Sequence, residues 1–267
     1  MLSKKIRAIL KTALLTGLLF ISFVLLLNVL IEKPSVQRYL LDRLSKAMGY
    51  ELTVAHIELT LWGGIGISAK NLKARSLTRP ESFEAAEVRV FLRAGELLMG
   101  RIVPSKIFFL EPKIDMAIRK GEGPSRMGTV LKDQLVERLS GYESVILKKA
   151  QICIRNAPFE LKDFHFYAQQ GNGHAPRFKI RSKGLVFYKG ESASFTLEGA
   201  MTQEESARSN RDFHADLSIK TGPFPLIWIP WPSEFSANKG HARADITFQG
   251  LLSGPVSAEG KIVAQDM

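Results

Sequence analysis

The chain has 267 residues, 45% hydrophobic and 24% charged, with a formal net charge of +11 and a single cysteine, Cys153. Enough apolar residues are present to build a core, which excludes a disordered chain, and one cysteine excludes an internal disulfide framework. The positive balance favours anionic partners such as lipid headgroups.

The first element in chain order is TALLTGLLFISFVLLLNVLI at 12–31, a run without a single charge. At 1.5 Å per residue a helix of that length spans roughly 30 Å, the hydrocarbon core of a bilayer. Lys4, Lys5, Arg7 and Lys11 precede it. The positive-inside rule therefore predicts a cytoplasmic basic N-terminus at 1–11, a transmembrane helix at 12–31 and the bulk of the chain on the far side. A cleaved signal peptide would have a shorter apolar core and a small-x-small site. The following NVLIEKPS offers no such site. Nucleic acid is not expected as a partner of a chain exported in this way.

Next comes a short amphipathic helix at 35–48. Pro34 and Ser35 suit its start, Gly49 its stop, and Val36, Leu40 and Leu44 repeat at helical spacing. From Leu52 the period changes to two. Leu52 and Val54, then Ile57, Leu59 and Leu61, read as a strand with a phase slip near Ala55–His56, which suggests a bulge. Ile65, Ile67 and Ala69 share one face of the next strand, and Val88, Val90 and Leu92 one face of another. Ile102, Ile107 and Phe109 follow, then Ile114, Met116 and Ile118 after Pro112, with Gly121 and Gly123 closing a β region over 32–123.

A helical connection is predicted at 124–142, where Leu131, Leu135 and Leu139 repeat every four residues. Strands resume at 147–154, 159–168, 178–187, 193–199, 213–220, 241–248 and 256–264. Short links rich in Gly, Asn and Ser join them, which predicts antiparallel meander pairing over 143–267. Ile152 and Ile154 define one face of the first of these strands, and Ala242, Ala244, Ile246 and Phe248 one face of the strand near the C-terminus. About a dozen strands against two short helices leaves much apolar strand surface with little to cover it. The inward positions are often small, as at Ala258 and Gly260, and an open curved sheet would present that surface to another molecule. The candidate lining residues are Ile65, Ile67, Val88, Val90, Ile114, Met116, Ile152, Ile154, Ile246 and Phe248.

Catalytic signals are weak. Gly64-x-Gly66-x-x-Ala69 lacks the helix a dinucleotide motif must open, because the alternation continues through it. Ser236-Ala-Asn-Lys239 and Lys220-Thr221-Gly222 stand in the reverse of the order used by penicillin-recognising enzymes. The five histidines form no H-x-x-x-H or H-E-x-x-H spacing; Asp163–His165 and His214–Asp216 read as solvent-facing pairs. Cys153 has no convincing histidine partner nearby in sequence. No catalytic residue, metal or cofactor is expected. PFPLIWIPWP at 223–232 is the oddest segment: its prolines oppose regular helix. Trp228 and Trp231 suit either a core plug at the end of the sheet or a loop that touches lipid.

The order of these elements resembles the AsmA family, relatives of TamB and YhdP. The resemblance is carried by PSVQRYLLDRLSKAMGYELTV, GIGISAKNLKA, SFEAAEVRVFL and ELLMGRIVPSKIFFLEPKIDMAIRKGEG, and more loosely by GPFPLIWIPWPSEFSANKGHARADITFQGLLSGPVSAEGKIVAQ. It covers Leu2 to about Gly123 well and 221–265 in part. It implies a mainly β protein: an N-terminal transmembrane helix, then an elongated, curved antiparallel sheet forming an open, taco-like groove, with one or two short helices. It implies a single-pass inner-membrane protein of a Gram-negative bacterium, with its bulk in the periplasm. Its groove would hold phospholipid acyl chains, its function would be lipid transport between membranes or outer-membrane biogenesis, and its partners would be the bilayer and other envelope proteins. The alternative function is an anchored scaffold that assists outer-membrane protein assembly by β-strand addition.

Overall fold

The structure is a computed structural model that describes residues 22, 29, 33–48, 50–61, 63–76, 82–99, 101, 103–117, 142–155, 159–171, 177–204, 212–228, 240–251 and 256–265. Of the expected membrane span only Ser22 and Val29 are described, both helical. The rest of the expected anchor, the basic N-terminus, the expected helix at 124–142 up to residue 141, and Trp231 lie outside the described residues; Tyr142 is described and is not helical. Among the described residues no helix is long and apolar enough to cross a membrane.

After Ser22 and Val29 the first described element is helix α1, Pro34–Met48. Pro34 opens it, as its fixed φ and missing N–H allow, and the Lys33 carbonyl accepts from the Val36 and Gln37 amides. Strands β1 (Tyr50–Thr53), β2 (His56–Thr60), β3 (Gly66–Ser76) and β4 (Ser82–Leu92) follow. A single turn of helix, α2 (Ala94–Leu98), occupies AGELL. Then come β5 (Pro104–Leu110) and β6 (Lys113–Ala117). The second half is β7 (Ser144–Arg155), β8 (Phe159–Gln170), β9 (Arg177–Tyr188), β10 (Glu191–Glu204) and β11 (Asp212–Thr221). It ends with the two-residue β12 (Phe224–Pro225), a 3-10 turn (Leu226–Trp228), β13 (His241–Leu251) and β14 (Val256–Gln265).

All fourteen strands belong to one sheet. β1 and β2 share the place beside β3, β5 and β6 share the place between β4 and β7, and β12 pairs with β13 just beyond the end of β11. The β9–β10 hairpin closes on Lys189 and Gly190, both at positive φ, the two-residue turn that suits the twist of paired strands.

The expectation of an all-antiparallel sheet is corrected at one junction. β5 and β6 run parallel to β7. Tight turns return a chain antiparallel, but residues 118–143 form a long link, and a long link lets the chain re-enter the sheet from the same end. The junction also fuses the two halves of the chain into one sheet. The strand expected to run on to Leu61 stops at Thr60, leaving Leu61 exposed, and Ile65 lies in the turn before β3 rather than within it.

A line of irregular residues crosses the sheet. Asn71, Glu111, Lys149 and Asp163 have φ of 52°, 50°, 53° and 45°, and the register shifts at Leu147/Ala150 and at Lys162/His165. Paired neighbours place these residues on one transverse line: Leu110 faces Lys148 and Lys113 faces Gln151, so Glu111 and Lys149 are side by side. At each, the alternation changes phase. In β7 Val145 and Leu147 point to the same side as Ala150, Ile152 and Ile154 after the break, so the apolar set moves from odd to even numbers without leaving its face.

Candidate functional site: an apolar face of transverse rows

Pairing carries apolar residues straight across the sheet. One row reads Leu59, Ile67, Val90, Ile107, Val145, Ala168, Ile180, Gly199, Leu217, Phe248, Ala258. Every position is apolar or glycine. The adjoining row runs from Ile57 through Val88, Phe109, Leu147 and Phe166 to Ile219, Ile246 and Gly260, and only Ser182 in it is polar. Beyond the irregular line a third row joins Leu52, Ala74, Phe83, Ile114, Ile152, Leu161, Val186 and Ala193.

Gly199 keeps the first row close-packed: a Cβ there would meet the Asp216 carbonyl oxygen and lie 2.8 Å from Leu217 Cα. Gly184 does the same for the aromatics, since Phe164 and Phe195 stack across it with ring centroids 6.1 Å apart.

The face is sealed in the middle and at one end, and half-buried elsewhere. Val145, Ala168, Phe178, Ile180, Met201, Phe213 and Ala215 form a buried cluster. Near the end of β11, Phe224, Leu226, Ala193, Ala242 and Ala244 form a second. Leu226 is 1% exposed, and Trp228 stands edge-on to Tyr188 with centroids 5.6 Å apart. In the described half of the tryptophan-proline segment Phe224 and Leu226 are thus core, while Pro223 and Ile227 are exposed, Ile227 at 59%. Between and beyond these clusters Leu59, Ile67, Val90, Ile107, Leu217, Ile246 and Phe248 are half-buried, and Ile262 is 52% exposed.

The opposite face is mostly polar, interrupted by Phe108, Ile146 and Tyr167 in the row that begins at Ser68 and Arg89. Arg89 donates from Nε and Nη2 to the two carboxylate oxygens of Glu87, each at 2.7 Å, and Ser68 Oγ donates to Glu87 Oε1. The Arg89 guanidinium holds the Glu87 carboxyl below the usual carboxylate range, against the pull of burial and with help from the Ser68 hydroxyl. Arg155 holds Asp115 down in the same way. Lys70 pairs with Glu58 at 2.9 Å. A shallow depression of about 430 Å³ opens on β7 to β10; Ile146 and Tyr167 give it an apolar lining, and Lys148, His165, Arg181, Lys183 and Glu198 surround them. Asp163 and His165 interact at 3.3 Å beside it.

Cys153 donates its thiol hydrogen to Glu160 Oε1 at 2.9 Å. Burial, and then the Glu160 carboxylate, push the thiol up to about 11. A thiol so placed stays protonated at neutral pH and is a poor nucleophile. Among the described residues no three His, Cys, Asp or Glu side chains gather as metal ligands would.

Of the ten residues marked in the sequence, Ile67, Val90 and Phe248 fall in the first row, Val88 and Ile246 in the second, and Ile114 and Ile152 in the third. Ile154 is buried one step beyond Ile152, and Met116 is its ladder partner, with a side chain outside the described residues. Ile65 is not on a strand. Sequence reading missed Val145, Ile180, Leu197, Leu217 and Ile219, which sit between the marked residues. Their alternation was visible, but only the pairing register shows that they lie in the same rows.

No family model, curated protein or solved structure matches the chain.

Proposed function

We propose that this chain is a non-enzymatic, inner-membrane-anchored periplasmic protein whose apolar face, curved into an open groove, holds phospholipid acyl chains. It would serve lipid transport between membranes or outer-membrane biogenesis. The observation that carries the reading is the unbroken apolar row from Leu59 to Ala258. A large aliphatic side chain left in water forfeits about 1.5–3 kcal/mol. Among the described residues no helix lies over that row, since α1 packs at β1 at the edge of the sheet. Acyl chains would cover its half-buried stretches, Leu59 to Ile107 on one side of the buried cluster and Leu217 to Phe248 on the other. The basic depression around Lys148, Arg181 and Lys183 would face headgroups or envelope proteins. The resemblance to the AsmA family and the uncharged run at 12–31 support the same reading.

The test is whether phospholipid co-purifies with the full chain and is displaced by Ile246→Asp or Phe248→Asp. Thr247→Asp, on the opposite face of the same strand, should keep it.

A further inference from the structure

The two edges of the sheet differ. At one, α1 packs on β1 and Ser45 Oγ accepts from the Leu52 amide at 3.2 Å, while the β1–β2 break interrupts the edge. Such devices blunt an edge. At the other, β14 pairs only with β13 among the described residues. β14 has ten residues, VSAEGKIVAQ, with no proline, and positions 257–263 are all exposed. Ile262 and Val263 are 52% and 42% exposed, on opposite faces of the strand.

The sequence of β14 is self-complementary. Turn a second β14 antiparallel about Gly260, and Glu259 of each copy faces Lys261 of the other, twice. Ala258 then faces Ile262, and Ser257 faces Val263. Within the chain, ladder partners Lys220, Asp245 and Lys261 already alternate in sign across β11, β13 and β14. The second copy's Glu259 continues that alternation. On the other face, Phe248 and Ala258 lead into the second copy's Ile262 and Ala244.

We propose that β14 is the docking surface for a second copy of this chain, joined antiparallel edge to edge about Gly260. Isologous pairing of this kind uses the same patch twice and closes at two copies. The dimer has one continuous sheet and an apolar face of roughly twice the length. Strands lie about 4.8 Å apart, so that face grows from on the order of 50 Å to on the order of 100 Å. The proposal stands on the edge and its charges, and does not depend on what the apolar face holds.

The experiment is charge reversal on the full chain in mild detergent, with mass read by light scattering. Mixed ¹⁴N and ¹⁵N protein is also treated with a zero-length carboxyl–amine cross-linker. The wild type is expected to be a dimer with mixed-isotope links between Glu259 and Lys261. Glu259→Lys and Lys261→Glu each place like charges opposite one another twice and should weaken the dimer on the order of tenfold or more. The double variant Glu259→Lys/Lys261→Glu, made with Asp245→Asn so that Lys261→Glu does not face a like charge in its own ladder, restores both pairs and should restore the dimer. A monomeric wild type, single variants that dimerise as well as wild type, or a double variant that stays monomeric would each overturn the proposal. Both positions are exposed, and unchanged circular dichroism shows that the fold is intact.

Discussion

Glu87 is a well-engaged carboxylate on the polar face, its side chain 13% exposed and held by Arg89 and Ser68. Its folded pKa lies below the unfolded value near 4.5. The interaction therefore contributes its full stability above about pH 4.5 and loses it as pH falls through the folded value. Arg89 is partly solvated, so screening limits the contribution to about 1 kcal/mol. Arg89→Gln should lower the urea midpoint at pH 7, and by less at pH 3, where Glu87 is further along its titration. An equal loss at both pH values would mean that Arg89 acts through packing over Phe108, where its guanidinium sits 5.5 Å from the ring centroid, rather than through charge.

At the scale of the element, the line of positive-φ residues sets how the strands keep one apolar face. Left-handed backbone at a residue with a side chain costs about 1 kcal/mol, and a β-branched residue tolerates it least. Lys149 is exposed and its contact with Glu111 is long, 3.6 Å, so its backbone dominates its effect on stability. Lys149→Gly should raise unfolding stability by up to about 1 kcal/mol, and Lys149→Val should lower it by at least as much, both read from urea midpoints. The turn after β11 makes a different demand. Leu226 fills the second cluster almost completely, and Leu226→Ala should cost about 2–5 kcal/mol in the same assay.

The irregular line was partly legible. The phase slip at Ala55–His56 was read from the sequence as a bulge in one strand; the structure has a break there, between β1 ending at Thr53 and β2 starting at His56. The same slip is written in VILKKAQICI, where Val145 and Leu147 give way to Ala150, Ile152 and Ile154, and in FELKDFHFYA, where Leu161 gives way to Phe164 and Phe166. What no single strand reveals is that these slips line up. Alignment depends on register, and register depends on partners distant in the chain.

At the scale of the whole molecule, strand identity and the start of α1 were legible because period-two alternation and Pro34 act locally. The parallel β5/β6–β7 junction was not, because alternation within a strand does not fix its direction, and residues 118–143 between β6 and β7 are too many for the tight turn that forces an antiparallel return. The candidate site was legible as a set of residues and not as rows: Val90 and Phe248 were marked, but the ladder that joins them passes through six strands marked only in part. The central claim is that these rows are covered by lipid. Native mass spectrometry with lipid extraction on the full chain tests it most directly. The account predicts phospholipid at a defined stoichiometry, retained in Thr247→Asp and lost in Ile246→Asp and Phe248→Asp while circular dichroism is unchanged. A well-folded wild-type chain that carries no lipid, or lipid retained in all three variants, would contradict it.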